Sequence, residues 1–413
     1  MKTLSFLIIL TAILYSTTAR SQGNPPILQQ QQPADNGSHS AIIDSTSQRD
    51  LIDVIEGLFD KNYNPANRKA AQKTHFSIIP YAGYTLSSGF TADITGNVGF
   101  YTSAAHNENL SIIAGDLGFD TKSQKILVSR SEIWLPNNDY KVVSDLRWEK
   151  YPTDTYGLGT FTQLSTDNDI DFYYVKIYET ILRKLGNGFY AGAGYNLDSH
   201  YDITATGNAD GSVSDFAKYG QTKHSTSSGI NLDFLFDDRK NPLNPLGGSY
   251  LNVVFRQNLT FMGSDANWES VVVDARKYIR LSPSSNNVLA IWSMAAFTAG
   301  NVPYLDLPNT GWDMYNNSGR GYAVGRYRGR DMLYLEGEYR FGITKNGLLG
   351  GVVFANGESF TEYPSNRFER IAPAAGTGLR IKLNKYSNTN LCIDYGVGVG
   401  GSHGFFVNLG ELF

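Results

Sequence analysis

Tyr140-Lys141-Val142-Val143-Ser144-Asp145-Leu146-Arg147-Trp148-Glu149 decides how the rest of this chain is read. Successive side chains of an extended strand point to opposite faces. Tyr140, Val142, Ser144, Leu146 and Trp148 therefore share one face, and Lys141, Val143, Asp145, Arg147 and Glu149 share the other. One face is apolar and aromatic, and the other is mostly charged. The same split recurs further on. Ile230, Leu232, Phe234 and Phe236 alternate with Asn231, Asp233 and Asp237; Leu379, Ile381 and Leu383 with Gly378, Arg380 and Lys382; Leu391, Ile393, Tyr395 and Val397 with Asn390, Cys392, Asp394 and Gly396.

Working outward, period two begins at His75 and continues to the end of the chain. It predicts sixteen strands, at 74–84, 89–103, 108–120, 124–136, 139–149, 169–183, 187–199, 225–237, 248–261, 266–281, 286–300, 331–343, 346–357, 372–384, 389–398 and 402–413. A soluble sandwich also alternates, but its strands typically run about 5–6 residues. Here the strands are longer, and short connections (136–139, 184–188, 344–347) alternate with long ones (149–169, 199–224, 300–331, 357–372). Short periplasmic turns and long external loops mark an outer-membrane barrel with apolar residues towards lipid and polar ones towards the lumen. The expected fold is all-β: a 16-stranded antiparallel transmembrane β-barrel over residues 75–413. Trp134, Trp148 and Trp292, near strand ends, fit its aromatic girdles.

Composition agrees. The 413 residues include 26 Tyr, 22 Phe and 42 Gly, with only 18% charged residues and a net charge of −4. Nothing in that balance suggests a nucleic-acid partner. The single cysteine, Cys392, excludes an intramolecular disulfide and a cysteine-based zinc site. Lys2 followed by the apolar run 4–15 and small residues at Thr17, Ala19 and Ser21 reads as a signal peptide over residues 1–21. Residues 22–74 read as a periplasmic linker carrying one amphipathic helix at about 49–63, with Leu51, Ile55 and Leu58 on one face.

The stretch 318–331, Ser-Gly-Arg-Gly-Tyr-Ala-Val-Gly-Arg-Tyr-Arg-Gly-Arg-Asp, holds four arginines and four glycines. It is either a solvated loop or backbone packed closely against something acidic. With a periplasmic N-terminus it belongs to the sixth external loop. Its Arg320-Gly321-Tyr322 is followed by Gly325-Arg326-Tyr327-Arg328 and by Glu336-Gly337-Glu338-Tyr339-Arg340-Phe341. Residues 237–248 add an Asp-x-Arg, Asn-Pro, Pro-x-x-Gly turn carried by Asp238, Arg239, Asn241, Pro245 and Gly248. Residues 375–382 and 390–398, with the terminal Phe413, complete the pattern.

These motifs resemble the BamA/TamA superfamily of outer-membrane assembly and translocation barrels, the bacterial surface antigen family. The resemblance covers about residues 75–413 and implies sixteen strands, with an Arg-Gly-aromatic loop motif that folds back into the lumen. The chain looks like a member lacking the family's periplasmic POTRA domains. Gly319 stands where an aliphatic is usual. The family's strand motif aromatic-x-Asp-x-Gly, whose Asp receives the loop arginine, is matched to Val353-Phe354-Ala355-Asn356-Gly357, which puts Ala355 at the acid's position. Arg320 is then expected to bond Glu336 or Glu338, whose strand parity turns them to the lumen as it does Asp394. The turn at 237–248 reads as structural rather than as a binding site.

Closure pairs strand 74–84 with strand 402–413. Pro80 donates no ladder bond, and Gly396, Gly398, Gly400, Gly401, Gly404 and Gly410 weaken or bend the terminal strands. The seam residues are therefore Pro80, Gly410 and Phe413. In the family a weak seam serves as a lateral gate. The function the resemblance implies is insertion or translocation of proteins, or lipids, at the outer membrane through that seam. The alternative is a pore or structural barrel subunit of an envelope complex. Expected partners are outer-membrane lipid, other envelope proteins and unfolded outer-membrane clients. The six histidines show no ligand spacing, and no Gly-x-Ser-x-Gly motif or Ser/His/Asp constellation stands out, so no enzyme activity, metal or cofactor is expected.

Overall fold

The computed structural model describes residues 48–67, 74–85, 89–105, 107–121, 123–282 and 285–413. The expected signal peptide at 1–21 and most of the expected linker at 22–74 lie outside the described residues.

Sixteen strands form the wall. They are β1 Thr74–Thr85, β2 Gly89–Phe100, β3 Ser111–Asp120, β4 Lys125–Trp134, β5 Tyr140–Lys150, β6 Asn168–Gly186, β7 Phe189–Ala205 and β8 His224–Asp237, then β9 Gly248–Asn258, β10 Trp268–Arg280, β11 Val288–Gly300, β12 Met332–Gly342, β13 Leu349–Phe360, β14 Ala372–Asn384, β15 Thr389–Gly398 and β16 His403–Leu409. A three-residue strand, Thr153–Thr155, adds to the edge of β6. Each wall strand pairs antiparallel with the next from β1 to β16, with register shifts in β6 at Asp171/Tyr173 and Lys184/Gly186 and in β14 at Lys382/Asn384. Among the described residues two short α-helices accompany the wall, α1 Leu51–Phe59 and α2 Asp215–Gly220.

Burial parity turns the sheet inside out relative to a soluble protein. In β5, Tyr140, Leu146 and Trp148 are exposed while Lys141, Asp145, Arg147 and Glu149 are buried. In β8, Ile230, Leu232 and Phe234 are exposed, whereas Asn231, Asp233 and Asp237 are buried. An apolar outer surface around a polar interior is stable only in hydrocarbon, with the ladder satisfying every backbone group. Many of the buried charges are paired. Asp145 accepts from Arg147 at 2.8 Å and forms an ion pair with Lys176 at 2.9 Å. Asp198 pairs with Arg256 at 2.6 Å and Glu132 with Lys141 at 2.7 Å.

Three expectations need correction. Trp134 and Trp292 are 1% and 0% exposed and face inwards, so of the three tryptophans only Trp148 lies on the outer face. Around Trp292 the lumen itself is apolar, with Val288, Ala290, Met294 and Ala296 buried beside it, so both faces of β11 carry apolar residues. Second, the last strand stops at Leu409 instead of running to Phe413. Gly410, at φ +92°, turns the chain inwards, and Leu412 and Phe413 are buried. The Phe413 ring lies 5.1 Å from that of Trp292, and its carbonyl accepts from Arg340 at 2.8 Å. Third, among the described residues no register joins β16 to β1, and β16 approaches β2 instead.

Candidate functional site inside the barrel

Loop 301–331, between β11 and β12, does not project from the mouth. It folds into the lumen and carries Arg320 to full burial. A guanidinium has five N–H donors in a planar fork and no acceptors. Its NH1 donates to Asp394 Oδ2 of β15 at 2.5 Å. NH2 donates to Glu338 Oε2 of β12 at 2.5 Å and also to Glu336. The Arg320 guanidinium stands 3.7 Å from the centroid of the Phe354 ring of β13. Glu336, Glu338 and Asp394 thus meet on one cation.

The cluster extends beyond Arg320. Arg340 bonds Glu338, and Arg380 bonds Asp394 and donates to Glu411 at 2.7 Å. Glu411 belongs to the inturned tail. Burial opposes its ionisation, yet Arg380 and Arg340 hold its carboxyl well below the usual carboxylate range. Three arginines and four carboxylates thus tie together the loop, three wall strands and the chain end. Removing one member leaves buried charges uncompensated.

Glycine makes the close approach possible. Gly319 and Gly321 have φ of +82° and +111°, in the left-handed region that L side chains rarely adopt. Across from them a Cβ on Gly396 would stand 2.7 Å from the Gly321 nitrogen, and one on Gly398 would meet the Tyr322 ring. Gly396 and Gly398 therefore form a groove in β15 for the Arg-Gly-Tyr backbone, rather than simply weakening the terminal ladder. Tyr322 closes the contact, donating its hydroxyl to Pro373 O at 2.6 Å and accepting from the Val399 N–H at 3.0 Å.

Ala355 is exposed on the outer face of β13, so it is not the lumenal position that the motif match assigned to it. The inward residues are Phe354, Asn356 and Glu358. Read from Phe354, the aromatic-x-acid spacing falls on Asn356, whose Nδ2 donates to the Arg320 carbonyl at 2.9 Å. The missing acid is replaced by an amide that holds the loop backbone. The match was out by one residue, which reverses every face in a strand.

The other loop arginines dock elsewhere. Arg326 donates to Thr162 O at 2.7 Å, and Arg328 donates to the carbonyls of Tyr304, Leu305 and Leu307. Arg330 reaches Gly300 O at 2.9 Å. Loop 151–167 is a hub that sequence reasoning missed. Its Leu158 N–H donates to Asp215 of α2, Gly159 N–H to Arg328 O, and Thr160 N–H to Glu362 of loop 361–371 at 2.7 Å. On the far wall Arg147 donates to Met314 O at 2.8 Å. The loop therefore spans the lumen from β5 to β15, leaving cavities of about 410 Å³ and 280 Å³ beside it.

At the opposite mouth the turn 238–247 is bonded to its own strands and to the last turn and tail of the chain. Arg239 pairs with Asp237 through two bonds of 2.9 Å and covers the Tyr250 ring. Asp238 accepts from Ser249 N–H, and Gly248 has φ +107°. Asn241 donates to Ser387 O at 3.0 Å, Pro245 is buried, and the Leu243 carbonyl accepts from Glu411 N–H at 2.7 Å. Pro80, predicted at the seam, pairs with Ile94 of β2. Among the described residues no cluster of His, Cys, Asp and Glu could hold a metal ion.

A family model described as the Omp85 superfamily domain matches residues 82–406. Among solved structures the chain is similar to BamA from Haemophilus ducreyi lacking POTRA domains 1-3, at 16% identity over 81% of this chain and 70% of that one, with a TM-score of 0.50. It is also similar to CdiB from Escherichia coli (10% identity, 83% of this chain and 63% of that one, TM-score 0.52). CdiB from Acinetobacter baumannii gives 12% identity, 83% and 61% coverage and a TM-score of 0.51, so this chain spans less than two thirds of either CdiB. At these identities the likeness bears on the fold. No curated protein matches the chain.

Proposed function

The chain belongs to the Omp85 superfamily, and from that premise we propose that it is an integral outer-membrane barrel that assists insertion or translocation of proteins, or lipids, through a lateral seam between β1 and β16. One observation carries this reading. The wall is laddered from β1 through β16, yet no register among the described residues joins its two ends. β16 is also short, with seven residues against ten to nineteen in the other wall strands. An unpaired strand edge presents free N–H and C=O groups that an incoming strand can take up. The loop crossing the lumen, fastened to β5 and to β15, narrows the interior and so counts against the alternative of an open pore. The mouth with the long loops then faces outwards, and α1 lies on the periplasmic side.

The test is reconstitution into liposomes with an unfolded outer-membrane barrel as client. The protein is expected to speed client insertion, and a disulfide engineered between β1 and β16 to abolish that gain. Equal client insertion with and without the protein, or with the seam locked, overturns the reading. High, steady conductance in a planar bilayer favours the pore instead.

A further inference from the structure

The lumen beside loop 301–331 holds a cavity of about 280 Å³ whose lining runs from Arg239, at the short-turn mouth, to Asp306 of the loop. Nearly every charge in that lining has its partner. Lys141 is taken by Glu132 at 2.7 Å, Lys176 by Asp145 at 2.9 Å and Arg256 by Asp198 at 2.6 Å. Arg276 is taken by Asp274 at 2.5 Å, and Arg239 by Asp237 at 2.9 Å. Of the remaining carboxylates, Asp313 accepts the N–H groups of Tyr315, Asn317 and Ser318, and Asp306 accepts from Ser227. Asp233 of β8 is left over. It is 5% exposed and forms no ion pair among the described residues, and its Oδ1 accepts no hydrogen bond. The Oδ1 of Asn252, on the neighbouring β9, likewise has no donor.

At its own level of the wall Asp233 has apolar neighbours. Residues directly opposite one another in a ladder share a face. The row through Asp233 reads Leu182 of β6, Gly192 of β7, Asp233, Val254 of β9 and Val272 of β10. Leu182, Val254 and Val272 line the cavity with it. A carboxylate among aliphatic side chains bears a desolvation cost that only a cation offsets. The aromatic rings nearby are not open to one. Lys176 and Arg256 cover Tyr178, and Arg239 and Arg276 cover Tyr250. A fitting ligand therefore carries one positive charge with N–H donors for the two bare oxygens, and an aliphatic body for the valines. We propose that this cavity binds a small alkylammonium, a protonated primary amine whose ammonium donates to Asp233 Oδ1 and Asn252 Oδ1 while its alkyl chain lies against Val254 and Val272. Sites for drug-sized ligands span about 300–1,000 Å³, so this smaller cavity sets the amine at a few carbon atoms.

The test uses the full chain in lipid nanodiscs at pH 8, with n-butylammonium as the probe. It is titrated at constant ionic strength and read by the fluorescence of Trp268 and Trp312, which line the cavity. Saturable binding is expected. It should weaken about tenfold or more for n-butanol, which has the same alkyl chain and no charge, and by a similar factor in Asp233→Asn. No saturable binding, equal affinity for the alcohol, or unchanged affinity in Asp233→Asn overturns the proposal. Displacement of the probe by an equal concentration of sodium ion overturns the alkylammonium as the ligand. A second pair of variants works without a ligand. Val254 stands opposite Asp233, so Val254→Lys supplies an ammonium from within, and Val254→Met is the uncharged control. The lysine variant is expected to lose the probe and to unfold at a higher temperature than the methionine variant. A lysine variant no more stable than the methionine one shows that Asp233 needs no cation, and overturns the proposal even if Asp233→Asn does not fold.

Discussion

The two ends of the wall are held by different physics. On the C-terminal side, β12 to β15 are joined by ladders and also by Arg320, Arg340 and Arg380 bridging four carboxylates from the lumen. At the other end, β1 has β2 as its only laddered partner among the described residues, and β16 has only β15. A buried charge network is unforgiving, because each member needs the others to offset its desolvation. An unpaired edge is tolerant, since little depends on it. The barrel thus concentrates its rigidity beside the place where its wall is interrupted.

The largest expected effect comes from breaking the network. Arg320→Ala leaves Glu336, Glu338 and Asp394 buried without their shared cation, and should cost about 3–5 kcal/mol in urea unfolding from detergent or lipid. Arg320→Lys keeps the charge but loses the fork, and should recover only part of that. A smaller loss follows from filling the glycine groove. Gly398→Val drives a side chain into the Tyr322 ring and should cost about 1–3 kcal/mol, with loop 301–331 becoming accessible to protease. If instead the loop stays protected in that variant, Tyr322 does not set its docking.

A pH effect sharpens the contrast on the outer side. Asp306, in loop 301–331, accepts from Ser227 at 2.6 Å. Burial first, and then the nearby Asp198, push its carboxyl up to about 7. The folded state therefore binds a proton that the unfolded chain releases near pH 4, so this group's contribution to stability is present at low pH and is lost as pH rises from about 4 to about 7. Asp306→Asn should flatten that part of the profile, gaining relative to the parent at pH 8 but not at pH 4. The smallest effect is expected on the free edge. Val407→Ala, at an exposed position of β16, should change stability by less than about 1 kcal/mol. A loss as large as that of Arg320→Ala would contradict the difference between the two ends.

The wall was legible because its interior is charged: Asp145 and Arg147 against Leu146 and Trp148 fix the parity of β5 without ambiguity. The docking of Arg320 was legible for the same reason, since Glu336 and Glu338 share an inward parity with Asp394 at a distance a loop can reach. Parity failed where it carries little contrast. Both faces of β11 are apolar, so Trp292 looked like an outer girdle residue, and a one-residue slip moved the acid's place from Asn356 to Ala355. Neither the hub at 158–162 nor the fastening of α1 to the β14–β15 turn had a readable sign. The hub works through backbone N–H groups, which every residue but proline shares. The Lys385–Asp53 pair joins residues 332 positions apart, with no pattern linking them.

Hydrogen exchange on the intact protein in lipid, resolved by peptide, tests the central difference most directly. The account predicts that amides of β1 and β16 exchange first and those of β12 to β15 last, with Arg320→Ala removing the protection of β12 to β15 selectively. Uniform protection around the whole wall, or a seam protected as strongly as β12 to β15, would contradict it.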